Sequence, residues 1–300
     1  MKALITGSNG SCAFYLKNEL ERHGDEVYGL ARPEHELLWM ESYLSYLDDV
    51  RPDIVYHLAS DADVRGSWEH PGHTLHNNIQ GTVNLFEALR SLKQRPIIQV
   101  CSTSEVYGNP SQWPIGETWP IQPANPYAVS KAAQDALGAV YAASYGFRVV
   151  RTRAFGYINP KRAALSLTAF AKQIVEIENG ERRVLRHGNL DSIRTFCDVR
   201  DIVAAYRLAA NLEGVYNIGS EESISVGECL NALISYSKCA INLEYDPDLT
   251  RPFDITNIVP YCRKFNQATG WRPRVGLKES LQWLLECCRI EADKKEKLCA

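Results

Sequence analysis

The chain reads as an α/β protein: a doubly wound parallel sheet with a smaller C-terminal α/β substrate-binding domain. Three observations predict this. Short apolar runs alternate with amphipathic helical stretches at spacings of roughly 25–30 residues, the signature of strand–helix–strand units. The first run leads straight into a glycine-rich turn, Gly7-Ser8-Asn9-Gly10-Ser11-Cys12-Ala13, that opens a helix. A later run ends in Ser102-Thr103-Ser104-Glu105, and Asn125-Pro126-Tyr127-Ala128-Val129-Ser130-Lys131 follows it downstream.

Lys2-Ala3-Leu4-Ile5-Thr6 is the first strand, and Phe14, Leu16 and Leu20 mark the apolar face of the helix that follows. In the turn between them Gly7 permits a tight bend. Gly10 lets backbone approach a pyrophosphate at the helix N-terminus, with Asn9 between them and Ala13 where a third glycine often permits close packing. Glu26-Val27-Tyr28-Gly29-Leu30 is the second strand. An acid at its end would bind the adenosine ribose of NAD; Arg32 stands there instead, a cation suited to the 2′-phosphate of NADP. The expected cofactor is therefore NADP, with NAD as the alternative. Pro33 to Val50 shows no clear strand, and Glu36-Leu37 is the expected adenine lining.

Asp53 to Ala59 is the next buried strand, and its end, Leu58-Ala59, is expected beside the nicotinamide half of the cofactor. His57 within it reads as a core histidine. A helix crosses Asn77 to Thr82 and continues through Leu85, Leu89 and Leu92. Ile97-Ile98-Gln99-Val100-Cys101 is a buried strand with the hydroxyls and carboxylate of Ser102 to Glu105 at its end. Asn125 can cap a helix and Pro126 suits its first turn. Tyr127 and Lys131 then lie four apart on one face, so phenol and ammonium can serve the same space. A free phenol has a pKa near ~10, and a neighbouring cation favours its ionised form. Thr103 is placed for the same sugar hydroxyl, and Glu105 adds a second acid/base group. Arg148 to Thr152 is a further strand.

Beyond Phe155 the alternation weakens. Asn159-Pro160-Lys161-Arg162 is a basic turn, and helices are expected over 165–178, from 198, over 225–236 and over 277–289. Val215 to Gly219 is a strand. Leu277, Leu281, Leu284, Leu285 and Cys288 form an apolar stripe, and the charged tail from Glu291 to Lys297 is expected to fray.

Composition excludes other classes. The chain has 300 residues, 45% hydrophobic and 23% charged, with a net charge of −3. That balance gives no electrostatic case for nucleic acid or an anionic membrane. No apolar run reaches the ~20 residues that span a bilayer, and no signal peptide is read at the start. Nine cysteines, Cys12, Cys101, Cys197, Cys229, Cys239, Cys262, Cys287, Cys288 and Cys299, follow no metal spacing and suit a reduced, cytoplasmic setting. No metal site is expected.

Taken together, these residues resemble the extended short-chain dehydrogenase/reductase family (Rossmann fold) in its nucleotide-sugar branch, over nearly the whole chain. Gly188-Asn189-Leu190-Asp191 with Arg194, Asp198-Val199-Arg200-Asp201, Arg251-Pro252-Phe253-Asp254 and Gly270-Trp271-Arg272-Pro273 look like the GDP-mannose 4,6-dehydratases. They look equally like the GDP-4-keto-6-deoxymannose reductases. The resemblance implies a dinucleotide-binding domain over 1–155, with 191–218 returning to it, and a nucleotide-sugar-binding domain over 156–300. It assigns Thr103, Tyr127 and Lys131 as the hydroxyl–phenol–ammonium set and Glu105 as the base for the sugar C5 proton. Ser104, Asn159, Arg194, Arg251 and Asp254 are implied as substrate contacts, Arg251 on the diphosphate and Asp254 near the ribose. Gly156 stands where the family usually has Asn, and Phe170 where dehydratases have Lys. The implied activity is 4,6-dehydration of GDP-mannose or a related GDP-hexose; the alternative is a reductase (or epimerase) of the same branch. A non-catalytic nucleotide sensor on this fold is the third reading. A homodimer is expected by analogy, through the Leu85–Leu92 helix and the Tyr127 helix with Val140 and Tyr141.

Overall fold

The structure is a computed structural model that describes residues 1–249 and 256–299, the last five of these by backbone alone. In chain order the first half runs β1 (Lys2–Thr6), α1 (Ser11–Arg22), β2 (Glu26–Leu30), α2 (Leu44–Val50), β3 (Ile54–His57), α3 (Gly66–Glu69), α4 (Pro71–Leu75), α5 (Gly81–Ser91), β4 (Ile97–Thr103), α6 (Pro126–Tyr145) and β5 (Arg148–Ala154). The second half runs β6 (Tyr157–Ile158), α7 (Ser166–Glu178), β7 (Leu185–His187), β8 (Ile193–Thr195), β9 (Cys197–Asp198), α8 (Val199–Ala209), β10 (Gly214–Ile218), β11 (Ser223–Ser225), α9 (Val226–Ser235), β12 (Leu243–Tyr245), α10 (Arg263–Thr269) and α11 (Leu277–Cys299).

Six parallel strands form the main sheet in the order β10-β5-β4-β3-β1-β2. Register brings their C-terminal ends level: Thr6 pairs with His57, Thr103 with Ala154, and Ala154 with Ile218. The chain runs outward one way from β1 to β2 and the other way from β3 onward. The crevice over that reversal is where open α/β sheets bind ligands. Helices cover both faces, because a parallel sheet must be buried on both sides. Leu16 and Leu20 of α1 pack with Ile202, Val203 and Tyr206 of α8 on one side. Leu47, Leu85, Phe86, Leu89 and Tyr141 pack on the other.

The helix that presents Tyr127 starts where its residues direct. Asn125 is extended and accepts a hydrogen bond from the Ala128 amide at 2.7 Å, with Pro126 in the first turn. Asp198 caps α8 in the same way through the Arg200 amide.

A second cluster joins Leu167, Phe170 and Ile174 of α7, Leu230 and Leu233 of α9, and Leu281, Leu284, Leu285 and Cys288 of α11. Phe170 is apolar filling there, so the helix carries no cation at that position. Three expectations change. The tail expected to fray continues α11 as helix to Cys299, its Glu291 paired with Lys172 of α7. Tyr141, named with Val140 for the expected dimer face, is buried within the subunit, where it stacks on Phe86 and donates to Glu87. Ser102 and Thr103 are the last residues of β4 rather than a segment beyond it.

Candidate active site

Above the sheet's C-terminal edge lies a cavity of about 460 Å³. One end is the turn after β1. Gly7 has φ +68°, and a Cβ there would lie 2.9 Å from the Ala59 backbone. Only glycine lets the turn pass so close to the end of β3. Behind it, the N-terminus of α1 has no side-chain cap and no acid in its first turn. Ser11, Cys12 and Ala13 of that turn line the cavity, so a positive helix end with uncapped N–H groups faces it. This arrangement fits the pyrophosphate of a dinucleotide. Arg32 and Glu36 line the same end, 3.5 Å apart as an ion pair, and Leu37 lies beside them.

At the other end stand the ionisable groups. Glu105, in the helical turn after β4, accepts a hydrogen bond from Asn125 Nδ2 at Oε2, 3.0 Å away. Among the described residues Oε1 has no hydrogen-bond partner. Lys131 donates to the Cys101 carbonyl at 2.6 Å and to Gln134 Oε1 at 2.7 Å. Burial lowers its pKa to about 8. Burial raises the pKa of the Tyr127 phenol, and Glu105 adds to the rise; the Arg162 guanidinium and the Thr103 hydroxyl oppose it. Arg162 exerts the largest charge effect, because the Lys131 ammonium is drawn down to the β4 backbone.

His57 is buried beneath these groups, its Nδ1 2.8 Å from Thr6 Oγ1 and its Nε2 2.8 Å from Thr82 Oγ1. Thr82 gives its own hydrogen to the Asn78 carbonyl, so His57 donates from Nε2 and accepts at Nδ1. Burial drives its pKa down to about 3, so it is neutral. Cys12 lines the cavity, but burial pushes its thiol up to about 12, away from nucleophilic use. The eight cysteines whose side chains are described form no disulfide among themselves.

Of the residues singled out in the sequence, Gly7, Asn9, Gly10, Arg32, Leu58, Ala59, Thr103, Ser104, Glu105, Tyr127 and Lys131 all line this one cavity. Asn159 does not. It is fully buried, donates to Ser11 Oγ and accepts from the Lys161 amide, and so ties the basic turn to α1. Arg194 lies outside the lining and donates to the carbonyls of Ile193 and Thr256. Arg251 and Asp254 lie outside the described residues. Asp201 accepts the amides of Arg274 and Val275, and its carbonyl accepts from Trp271 Nε1. The 198–201 and 270–273 motifs are thus a tertiary clasp. Gly156 has a geometric reason: a Cβ there would stand 2.4 Å from the Thr195 carbonyl, where β6 meets β9.

Sequence reasoning missed Arg162. It lines the cavity, donates to the Ala62 carbonyl at 2.6 Å, and has no carboxylate partner among the described residues. The basic turn was visible in the sequence; that its second cation folds inward was not.

A sequence profile described as GDP-mannose 4,6 dehydratase matches residues 34–283. The chain belongs to that family. Its relatives split by reaction. A GDP-6-deoxy-D-mannose reductase of Pseudomonas aeruginosa is 31% identical over 95% of this chain and 96% of that protein. GDP-mannose 4,6 dehydratase 1 of Arabidopsis thaliana is 28% identical over 99% and 92%. Among solved structures, RMD from Pseudomonas aeruginosa complexed with NADPH superposes with a TM-score of 0.88 at 28% identity, over 97% of this chain and 99% of that one. A Thermus thermophilus UDP-glucose 4-epimerase complexed with NAD gives 0.86 at 28% identity, over 96% and 99%. The family member described here is therefore an enzyme of the short-chain dehydrogenase/reductase fold, from a family that uses nicotinamide cofactors and nucleotide sugars. None of its described helices is long and apolar enough to cross a membrane.

Proposed function

We propose that the protein is a GDP-hexose 4,6-dehydratase acting through a 4-keto intermediate, with GDP-mannose as the leading substrate. The observation that carries this reading is the pairing of two acid/base groups, Tyr127 and Glu105, in one cavity. A simple ketone reduction needs one proton donor; loss of water across C5 and C6 also needs a base at C5. Tyr127, ionised with help from Arg162, takes the proton of the sugar C4 hydroxyl, and Thr103 holds that hydroxyl. A nicotinamide cofactor bound in the cavity supplies the chemistry of withdrawing hydride at C4 and returning it at C6. The ketone makes the C5 proton acidic; Glu105 removes it and passes it to the C6 hydroxyl, which leaves as water, and C5 regains a proton from solvent in balance with the one Tyr127 releases. Lys131, which lines the cavity, would hold the cofactor ribose. Arg32 supports NADP over NAD. Val129, Val140 and Tyr145, exposed on α6, support a homodimer through α5 and α6.

The second reading is a 4-keto-6-deoxy sugar reductase. It is favoured by the 31% identity to a reductase and by the apolar Phe170. The deciding experiment is incubation with GDP-mannose and NADP⁺ in heavy water. A dehydratase yields a product 18 mass units lighter before labelling (~18 Da, one water), with deuterium at C5. Stoichiometric NADPH consumption with a 4-keto-6-deoxy sugar, and no action on GDP-mannose, overturns the proposal.

A further inference from the structure

We propose that Asn125 is a positioning residue that aims Glu105 while it starts the helix carrying Tyr127. The inference rests on Glu105 serving as the C5 base. Asn125 has one amide with two unlike ends. Its Oδ1 accepts the Ala128 amide at 2.7 Å. Its Nδ2 reaches Glu105 Oε2 at 3.0 Å. The cap requires an acceptor, so the donor end has only one direction left, and the amide cannot flip without losing both bonds. The residue is also held by its backbone, because its carbonyl accepts from the Val129 amide at 3.0 Å.

Glu105 is tethered from the opposite side. Its own amide donates to Thr103 Oγ1 at 3.3 Å, at the end of β4. One oxygen of the carboxylate is thus engaged from α6 while the other is left for substrate. The charged or titratable groups that line the same cavity include Tyr127 and Lys131 on α6, Arg162 in the turn after β6, Tyr157 on β6, Tyr206 on α8 and, at its far end, Arg32 with Glu36. Because Asn125 precedes Tyr127 by two positions, a single side chain sets the spacing between the two acid/base groups.

Other good caps do not do both jobs. Asp caps as well as Asn but would place an anion against Glu105, and Ser offers one oxygen on a shorter stem. That difference makes the test. Asn125→Asp should keep the fold, followed by circular dichroism, and the NADP(H) affinity of the wild type. Its turnover–pH profile should differ from that of the wild type on the acid side, since an aspartate at 125 sets a second anion against the Glu105 carboxylate. At neutral pH, C5 exchange with heavy water should fall about tenfold relative to the first hydride transfer, read as cofactor absorbance in a single turnover. Asn125→Ser keeps a cap without adding charge, and should lower the same ratio if Asn125→Asp does not fold. Wild-type pH profiles and exchange ratios in the variants that fold overturn the positioning role alone. A wild-type enzyme that leaves GDP-mannose unchanged overturns the dehydratase reading and this inference with it.

Discussion

The guanidinium of Arg162 flanks the phenol of Tyr127, and its charge opposes the burial that holds the phenol in its neutral form. The two residues are far apart in sequence and meet only because β6 and the turn after it fold over the end of α6. Arg162→Met removes the cation and leaves the desolvation. The phenol should then ionise at higher pH, and single-turnover cofactor reduction should slow by about tenfold at neutral pH and recover as pH rises. Stopped-flow absorbance across pH reads this. An unchanged profile would remove Arg162 from the proton-transfer step.

Tyr127→Phe deletes one oxygen at a helix position already fixed by Asn125. Turnover should drop by at least about a hundredfold, the scale of general acid–base help. The fold, followed by circular dichroism, should be retained. Near-normal turnover would sink the assignment.

Arg32 is mostly exposed, and its Nε lies 3.5 Å from Glu36. Arg32→Ala should weaken NADP(H) binding much more than NAD(H) binding, because only the former has a 2′-phosphate for the cation to meet. Calorimetric titrations with both cofactors give the comparison, and equal losses would take Arg32 out of the cofactor site.

Gly156→Ala should destabilise the protein by about 1–3 kcal/mol, the usual cost of forcing extra volume into packed structure. The added Cβ would meet the Thr195 carbonyl at 2.4 Å and push β6 from β9. Urea melts of both proteins measure it. Unchanged stability would mean that the backbone gives way at no cost.

His57 binds its proton only near pH 3 when folded, against a model-peptide pKa of about 6.5. Between those values the unfolded chain holds the extra proton, so stability rises with pH through that window and is lost on acidification. His57→Gln should flatten this part of the stability–pH curve. Denaturant melts from pH 4 to 7 make the test, and identical slopes would show that His57 is protonated in the folded state.

Residue order by itself determined the six strands of the main sheet, the glycine turn, the capped start at Asn125-Pro126 and the gathering of Gly7, Thr103, Glu105, Tyr127 and Lys131 at one sheet edge. These are local matters. Apolar runs of strand length must be buried, and parallel strands joined by helices must end on the same side. The direction of each long side chain was decided elsewhere. Lys131 and Tyr127 share a helical face, yet the ammonium turns down to the Cys101 carbonyl, because a buried cation settles where carbonyl oxygens can solvate it. Asn159 is tied down to Ser11, while Arg162 in the same turn reaches the cavity. The loss of the family's Asn at Gly156 was plain in the sequence, but its reason is a carbonyl 39 residues further on. Spacing along the chain fixes which residues share a face. Which of them meet across the cavity depends on packing between distant segments, and only the tertiary structure supplies it.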